Sequence, residues 1–170
     1  DLWIEQLDAQ LKHAERLSTD VQPNYARAYE IYEELAKQQE LPQAYVGMAL
    51  MHLKGQGREQ STEHALRYLE NAFRLGSEDA AYHLGKIYDS EQYQSNDAEK
   101  AVYWYRHAVA RGSLDAQYRI TEINEQEHND QHAVQQKLQL LKQNADQGHS
   151  NSQFQLAEHH LKQADVRNIS

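Results

Sequence analysis

Apolar positions recur along this chain at two intervals, one short and one long. Within Asp79–Tyr88, Ala80, Leu84, Ile87 and Tyr88 fall at i, i+4, i+7 and i+8, which is one stripe of an amphipathic helix. Within Lys100–Gly112, Ala101, Trp104, Tyr105, Ala108 and Val109 form a second stripe. Asp97 stands where the second helix needs an N-cap, and Ser61 and Asn24 stand at the matching places in earlier segments. The long interval is 36 residues. It separates Gly76, Gly112 and Gly148, each predicted to end a helix in the left-handed C′ conformation. It also separates Ala44, Ala80, Ala116 and Ser152, and again Ala49, Gly85, Thr121 and Ala157. Small residues at fixed places let helices approach closely, while Tyr88, Trp104 and Tyr105 are expected to fill the space between them. A period in the 30s marks a helical solenoid, whose units bury their apolar faces only by stacking.

The pattern predicts an all-α chain of four helix pairs plus a ninth helix, in one domain over residues 1–170. The repeats span approximately 2–39, 43–78, 79–114 and 115–150, and the final helix covers 151–163. Repeat one is offset by 37 at its second helix, and the extra residue is expected in the loop around Pro42.

Repeat three supplies Ala80, Leu84-Gly85, Tyr88, Asp97, Lys100-Ala101, Trp104-Tyr105, Ala108 and Gly112. Repeat two supplies Ala44, Met48-Ala49, the loop Gly55-Gln56-Gly57, Ala65, Tyr68-Leu69, Ala72 and Gly76, with His52 in the tyrosine position. In repeat four, Lys137 and Asn144 replace alanines. Together these residues resemble the Sel1-like repeat, a tetratricopeptide-like helix pair. The resemblance implies a right-handed α-solenoid of bacterial origin that binds protein and does no chemistry.

Composition narrows the function classes. Net charge is −9, which lacks the clustered cations that nucleic acid or an anionic membrane surface requires. No apolar run reaches the ~18 residues of a membrane span. Cysteine is absent, so disulfides, thiolate nucleophiles and cysteine-based zinc sites are excluded. Only 39% of residues are hydrophobic, which suits a one-dimensional stack with much surface per residue. The chain begins at Asp1 without a leader, so a mature or excised form is expected.

No catalytic, cofactor-binding or metal-binding residue is assigned. His128 and His132 have i, i+4 spacing, but a zincin needs H-E-x-x-H, and the segment falls in an expected interhelix loop as solvated surface. His52 and His160 are read as packing residues. The carboxylates are spread along the repeats instead of converging in a pocket.

In tetratricopeptide-like stacks the first helix of each pair lines the concave face. By that analogy the partner-binding positions are Leu50, Asp79, Tyr82, Lys86, Asp89, Asp115, Tyr118, Glu122, Phe154 and Glu158. The recurrent aromatics Tyr82, Tyr118 and Phe154 fit either a ligand groove or packing within the repeat. Tyr103, beside the Trp104 core position, is a secondary candidate. The expected partner is a protein or peptide with a basic segment, held by a monomer without cofactor, nucleic acid or membrane insertion. The expected setting is a bacterial cell-envelope machine, for secretion or polysaccharide export, in the periplasm. Alternatives are an immunity protein that blocks a secreted toxin, a glycan-binding scaffold and a metal-dependent hydrolase.

Overall fold

The computed structural model describes residues 2–21, 23–93, 96–128 and 131–168. Among them are nine α-helices and no strand: α1 (Leu2–Thr19), α2 (Tyr25–Gln39), α3 (Pro42–Lys54), α4 (Thr62–Arg74), α5 (Ala80–Tyr88), α6 (Ala98–Ala110), α7 (Leu114–His128), α8 (Gln131–Asp146) and α9 (Ser150–Asn168). The last helix is longer than the apolar pattern alone marks.

Hydrogen bonding explains where the helices stop. Gly76, Gly112 and Gly148 have φ of 91°, 92° and 84°, the left-handed region that a Cβ disfavours. The same two backbone bonds close each end. The Gly76 and Ser77 amides donate to Phe73 and Ala72, those of Gly112 and Ser113 to Val109 and Ala108, and those of Gly148 and His149 to Ala145 and Asn144. This is the Schellman arrangement. The residue after each glycine then caps the next helix: Ser77 Oγ accepts from the Ala80 amide, Ser113 Oγ from Ala116, and His149 Nδ1 from Ser152. Within the repeats, the side chains of Asn24, Ser61 and Asp97 each accept from the amide three residues on, at 3.1, 3.2 and 3.0 Å. Their own amides donate to the carbonyls of Leu17, His52 and Tyr88, tying second helix to first.

Repeat one differs from its expected register. Glu40 has φ 48° and its amide donates to Ala36, so it stands in the left-handed place that glycine takes 36 residues later. From Glu40 to Ala44 is the same step as from Gly76 to Ala80. The extra residue of repeat one therefore lies within α2, not around Pro42.

The chain forms two compact units, one ending at Trp104 and the other beginning at Tyr105. In the first unit, consecutive helices α1 to α5 pack on one another, and α1 also touches α3. One core cluster joins α1, α2 and α3 through Ala14, Ala28, Tyr32, Leu35, Ala44 and Met48. The next joins α3, α4 and α5 through Ala49, Leu53, Ala65, Leu69, Ala80 and Leu84, with Phe73 and Trp104 packed against it. Ala49, Ala65 and Ala80 are fully buried, so small side chains at fixed intervals do set the close helix contacts. Burial, followed by the nearby Glu15 charge, pushes the Tyr32 phenol up to about 12.

In the second unit α7, α8 and α9 pack in sequence. Tyr105, Ala108, Ala116, Ile123, Leu141, Asn144 and Ser152 are buried. Asn144 occupies the place of the fully buried Ala72 and Ala108, and its Nδ2 has no hydrogen-bond partner among the described residues. An unsatisfied buried amide costs ~1–3 kcal/mol. The void left by trimming it to a methyl costs less, roughly 0.6 kcal/mol at ~24 cal/mol per Å³. Asn144→Ala is therefore expected to raise stability by about 1 kcal/mol in urea titrations. A loss of stability would mean that the amide finds a partner in solution.

Candidate partner-binding site

The first helices carry the positions nominated from sequence. In the first unit, α5 presents most of them. Asp79 precedes the helix and is exposed, where a carboxylate favours the positive helix N-terminus. Tyr82 is half-buried, and Lys86, one turn on and exposed, holds its Nζ 5.6 Å from the Tyr82 ring centre. Asp89 follows the helix, half-buried. His83 sits beside Tyr82, and burial, then the Lys86 charge, lowers its basicity. Leu50 on α3 is half-buried against the second core cluster. The α5 face thus combines an aromatic plate, a lysine and two carboxylates on one short helix.

The nominated residues of the second unit are used differently. Tyr118 is 6% exposed, and its hydroxyl donates to Glu122 Oε1 at 2.8 Å, with the Gln155 amide oxygen 3.2 Å away. Arg119 donates to the other Glu122 oxygen at 2.9 Å, and Lys137 of α8 stands 3.7 Å from Oε1. Lys137 also lies 5.6 Å above the Tyr118 ring. Of the two readings of this aromatic position, packing describes Tyr118, and the Glu122 charge is balanced within the unit. The i, i+3 spacing of Arg119 and Glu122 was visible in the sequence, whereas Lys137 comes from another helix. Asp115 is engaged at the surface: Asn151 Nδ2 donates to it at 3.2 Å, and His149 Nε2 lies 3.2 Å away. Because His149 Nδ1 accepts from the Ser152 amide, its Nε2 carries the proton offered to Asp115. Phe154 is 68% exposed, while Glu158 pairs with Lys162 at 3.2 Å.

Tyr103 is 56% exposed. Its ring stands edge-on to Trp104, which stands edge-on to Phe73, with centres 5.2 and 5.3 Å apart. It is the outer member of an aromatic stack whose inner members are half-buried.

Sequence reasoning missed a buried polar chain in the first unit. His52 Nδ1 lies 3.0 Å from the Glu59 carbonyl, which can only accept, so Nδ1 is protonated and Nε2 accepts from the Tyr29 hydroxyl at 3.0 Å. The Tyr68 hydroxyl lies 3.4 Å from that of Tyr29, and the Arg58 guanidinium covers the Tyr29 ring at 4.1 Å. Burial, then the neighbouring Tyr68 hydroxyl, raises the Tyr29 phenol well above its ordinary value. Both His52 nitrogens are occupied and the ring is buried, which agrees with its reading as a packing residue. His160, at the same repeat position, is exposed. His132 is exposed and its Nε2 is 2.9 Å from Gln136, while the His128 side chain lies outside the described residues. Among the described residues, no three His, Asp or Glu side chains are grouped to hold a metal.

A model of the Sel1 repeat family matches residues 7–40, 42–77 and 78–113. Among solved structures, a Sel1 repeat protein from Oxalobacter formigenes superposes with a TM-score of 0.72 at 18% identity, covering 89% of this chain and 62% of that one. A protective antigen present in uropathogenic Escherichia coli strains, displaying an SLR fold, gives 0.68 at 18% identity, covering 94% and 35%. The chain thus spans less than two thirds of either protein. At this identity the likeness shows the fold alone. No curated protein matches the chain.

Proposed function

The chain belongs to the Sel1 repeat family, and on that premise we propose that it is a non-catalytic adaptor that grips a protein segment on its first-helix face. Sel1 repeat proteins generally mediate protein–protein interaction, and the repeat fold is typically a scaffold without catalysis. The observation that carries the reading is the α5 face, where the Tyr82 ring and Lys86 stand between Asp79 and Asp89. An aromatic plate flanked by carboxylates suits a segment with an apolar side chain and a basic neighbour. The setting we propose is a bacterial cell-envelope machine, for secretion or polysaccharide export, in the periplasm.

The test begins with affinity capture from the source cells and continues by calorimetry with the purified partner. Tyr82→Ala is expected to weaken binding at least tenfold, since a central aromatic contributes ~2 kcal/mol or more. Lys86→Glu should alter the association rate and its salt dependence more than the dissociation rate. Helical content and melting of each variant separate lost binding from lost folding. Folded variants that bind with wild-type affinity would move the site off α5, with Tyr103 the next surface to vary.

A further inference from the structure

Local physics argues against glutamate at position 40 twice over. Among the described residues Glu40 alone, glycines aside, has a positive φ, at 48°. A Cβ in that conformation carries a cost that glycine escapes. The carboxylate also stands at the C-terminal end of α2, where the helix dipole favours a cation. The same place holds Gly76, Gly112 and Gly148 in the later repeats. The turn itself gains nothing from the side chain, because it closes through the bond from the Glu40 amide to the Ala36 carbonyl. Backbone strain of this kind gathers where a side chain is put to use.

Glu40 lines a hollow of about 350 Å³ together with Tyr45 of α3, Asn71 and Arg74 in the last turn of α4, and Leu75 after it. That volume falls within the ~300–1,000 Å³ of small-molecule sites. The Tyr45 hydroxyl donates at 3.3 Å to the Ala36 carbonyl, the same oxygen that takes the Glu40 amide, so the ring is fixed as a wall beside Glu40. Leu75 is 40% exposed and adds an apolar edge. Arg74 donates through Nη2 to the Asn71 side-chain oxygen, which orients the guanidinium. Among the described residues neither Glu40 nor Arg74 forms an ion pair, with the other or with a third group. One anion and one cation therefore face a single hollow with their charges open. The repeat does not require this set, since 36 residues later Gly76, Ala81 and Ala110 stand where Glu40, Tyr45 and Arg74 stand here.

We propose that this hollow binds a small zwitterion, a dipeptide with apolar side chains, its ammonium on Glu40 and its carboxylate on Arg74. Two opposite charges within one hollow of this size fit a ligand that carries both. The guanidinium fork matches a carboxylate through two parallel N–H bonds. The carbonyl end of α2 adds to the attraction of Glu40 for an ammonium. Tyr45 and Leu75 offer the apolar contact for the side chains. The site is separate from the α5 face and does not depend on the adaptor reading.

The probe is leucyl-leucine, titrated into the isotope-labelled full chain and followed through the amide NMR signals of Glu40, Asn71 and Leu75. Saturable shifts are expected. Acetylating the peptide amine or amidating its carboxyl should each weaken binding at least about tenfold, the worth of a lost charged hydrogen bond. In Arg74→Gln the free and amidated peptides should bind alike, and in Glu40→Gln the free and acetylated peptides should. Glu40→Gly should lose binding by about tenfold or more while raising the urea midpoint, because the strain leaves with the side chain. Binding and stability that move in opposite directions are not what a packing role produces. Absence of saturable shifts overturns the proposal, and so does a capped peptide that binds the wild type as well as the free one. A urea midpoint unchanged or lowered in Glu40→Gly overturns it too, since Glu40 would then serve the fold.

Discussion

Leu84→Ala should remove about 3–5 kcal/mol of stability, the upper part of the range for a truncated core leucine. Leu84 is fully buried among Ala49, Ala65, Ala72 and Ala80, with Leu53, Leu69 and Ile87 around them. The alanines have nothing to extend into a void, and Leu53, Leu69 and Ile87 are themselves buried and held by packing, so the cavity should persist. Helices of a repeat array also stabilise one another mainly through their neighbours, so damage at α5 should spread to α4 and α3. Urea denaturation followed by far-ultraviolet circular dichroism measures the loss. Leu2→Ala is the control, since Leu2 is 85% exposed and its truncation should cost less than about 0.5 kcal/mol. A midpoint for Leu84→Ala close to that of the control would show that the α3–α5 cluster is looser in solution than its burial implies.

Gly47→Val should be nearly as damaging, by about 3 kcal/mol, through the opposite mechanism of overpacking. A Cβ at Gly47 would lie 2.6 Å from the Tyr32 ring, and that ring is 4% exposed. Because the ring is buried, it can yield only by disturbing its own packing, and valine adds branching directly at the clash. Glycine inside a helix ordinarily costs ~1 kcal/mol relative to alanine, so its presence in α3 trades helix propensity for close approach to α2. The diagnostic measurement is a double-mutant cycle. Tyr32→Ala should destabilise the wild type yet recover part of the loss in the Gly47→Val background, giving a coupling of more than about 1 kcal/mol. Additive losses would mean that valine harms the helix by itself.

Periodicity made the fold readable and left much of the site unreadable. The 36-residue spacing located the helix ends because a glycine at a left-handed C′ position is a local requirement of the backbone, and Gly76, Gly112 and Gly148 all meet it. The buried alanines were legible for a similar reason, since close helix contact admits few residue types. Glu40 escaped because its backbone keeps the left-handed conformation while its side chain abandons the glycine signal. Ser77 and Ser113 act as caps through single hydrogen bonds that many serines could make. Glu122 looked like a free acidic group because its balance with Lys137 depends on side chains meeting from two helices. The Tyr29–His52–Glu59 chain was hidden for the same reason, as its members come from two helices and a loop.

The threefold turn at Gly76, Gly112 and Gly148 makes the joints of this chain interchangeable. Each joint closes with the same two backbone bonds and hands the chain to the next helix through a side chain one residue later. Cutting at any two of them and rejoining the ends would reunite like with like, with no new turn to invent. Length is then a matter of copy number, open to tandem duplication and loss. His149 in a serine place shows that the capping side chain can differ while the joint keeps its two backbone bonds and its glycine.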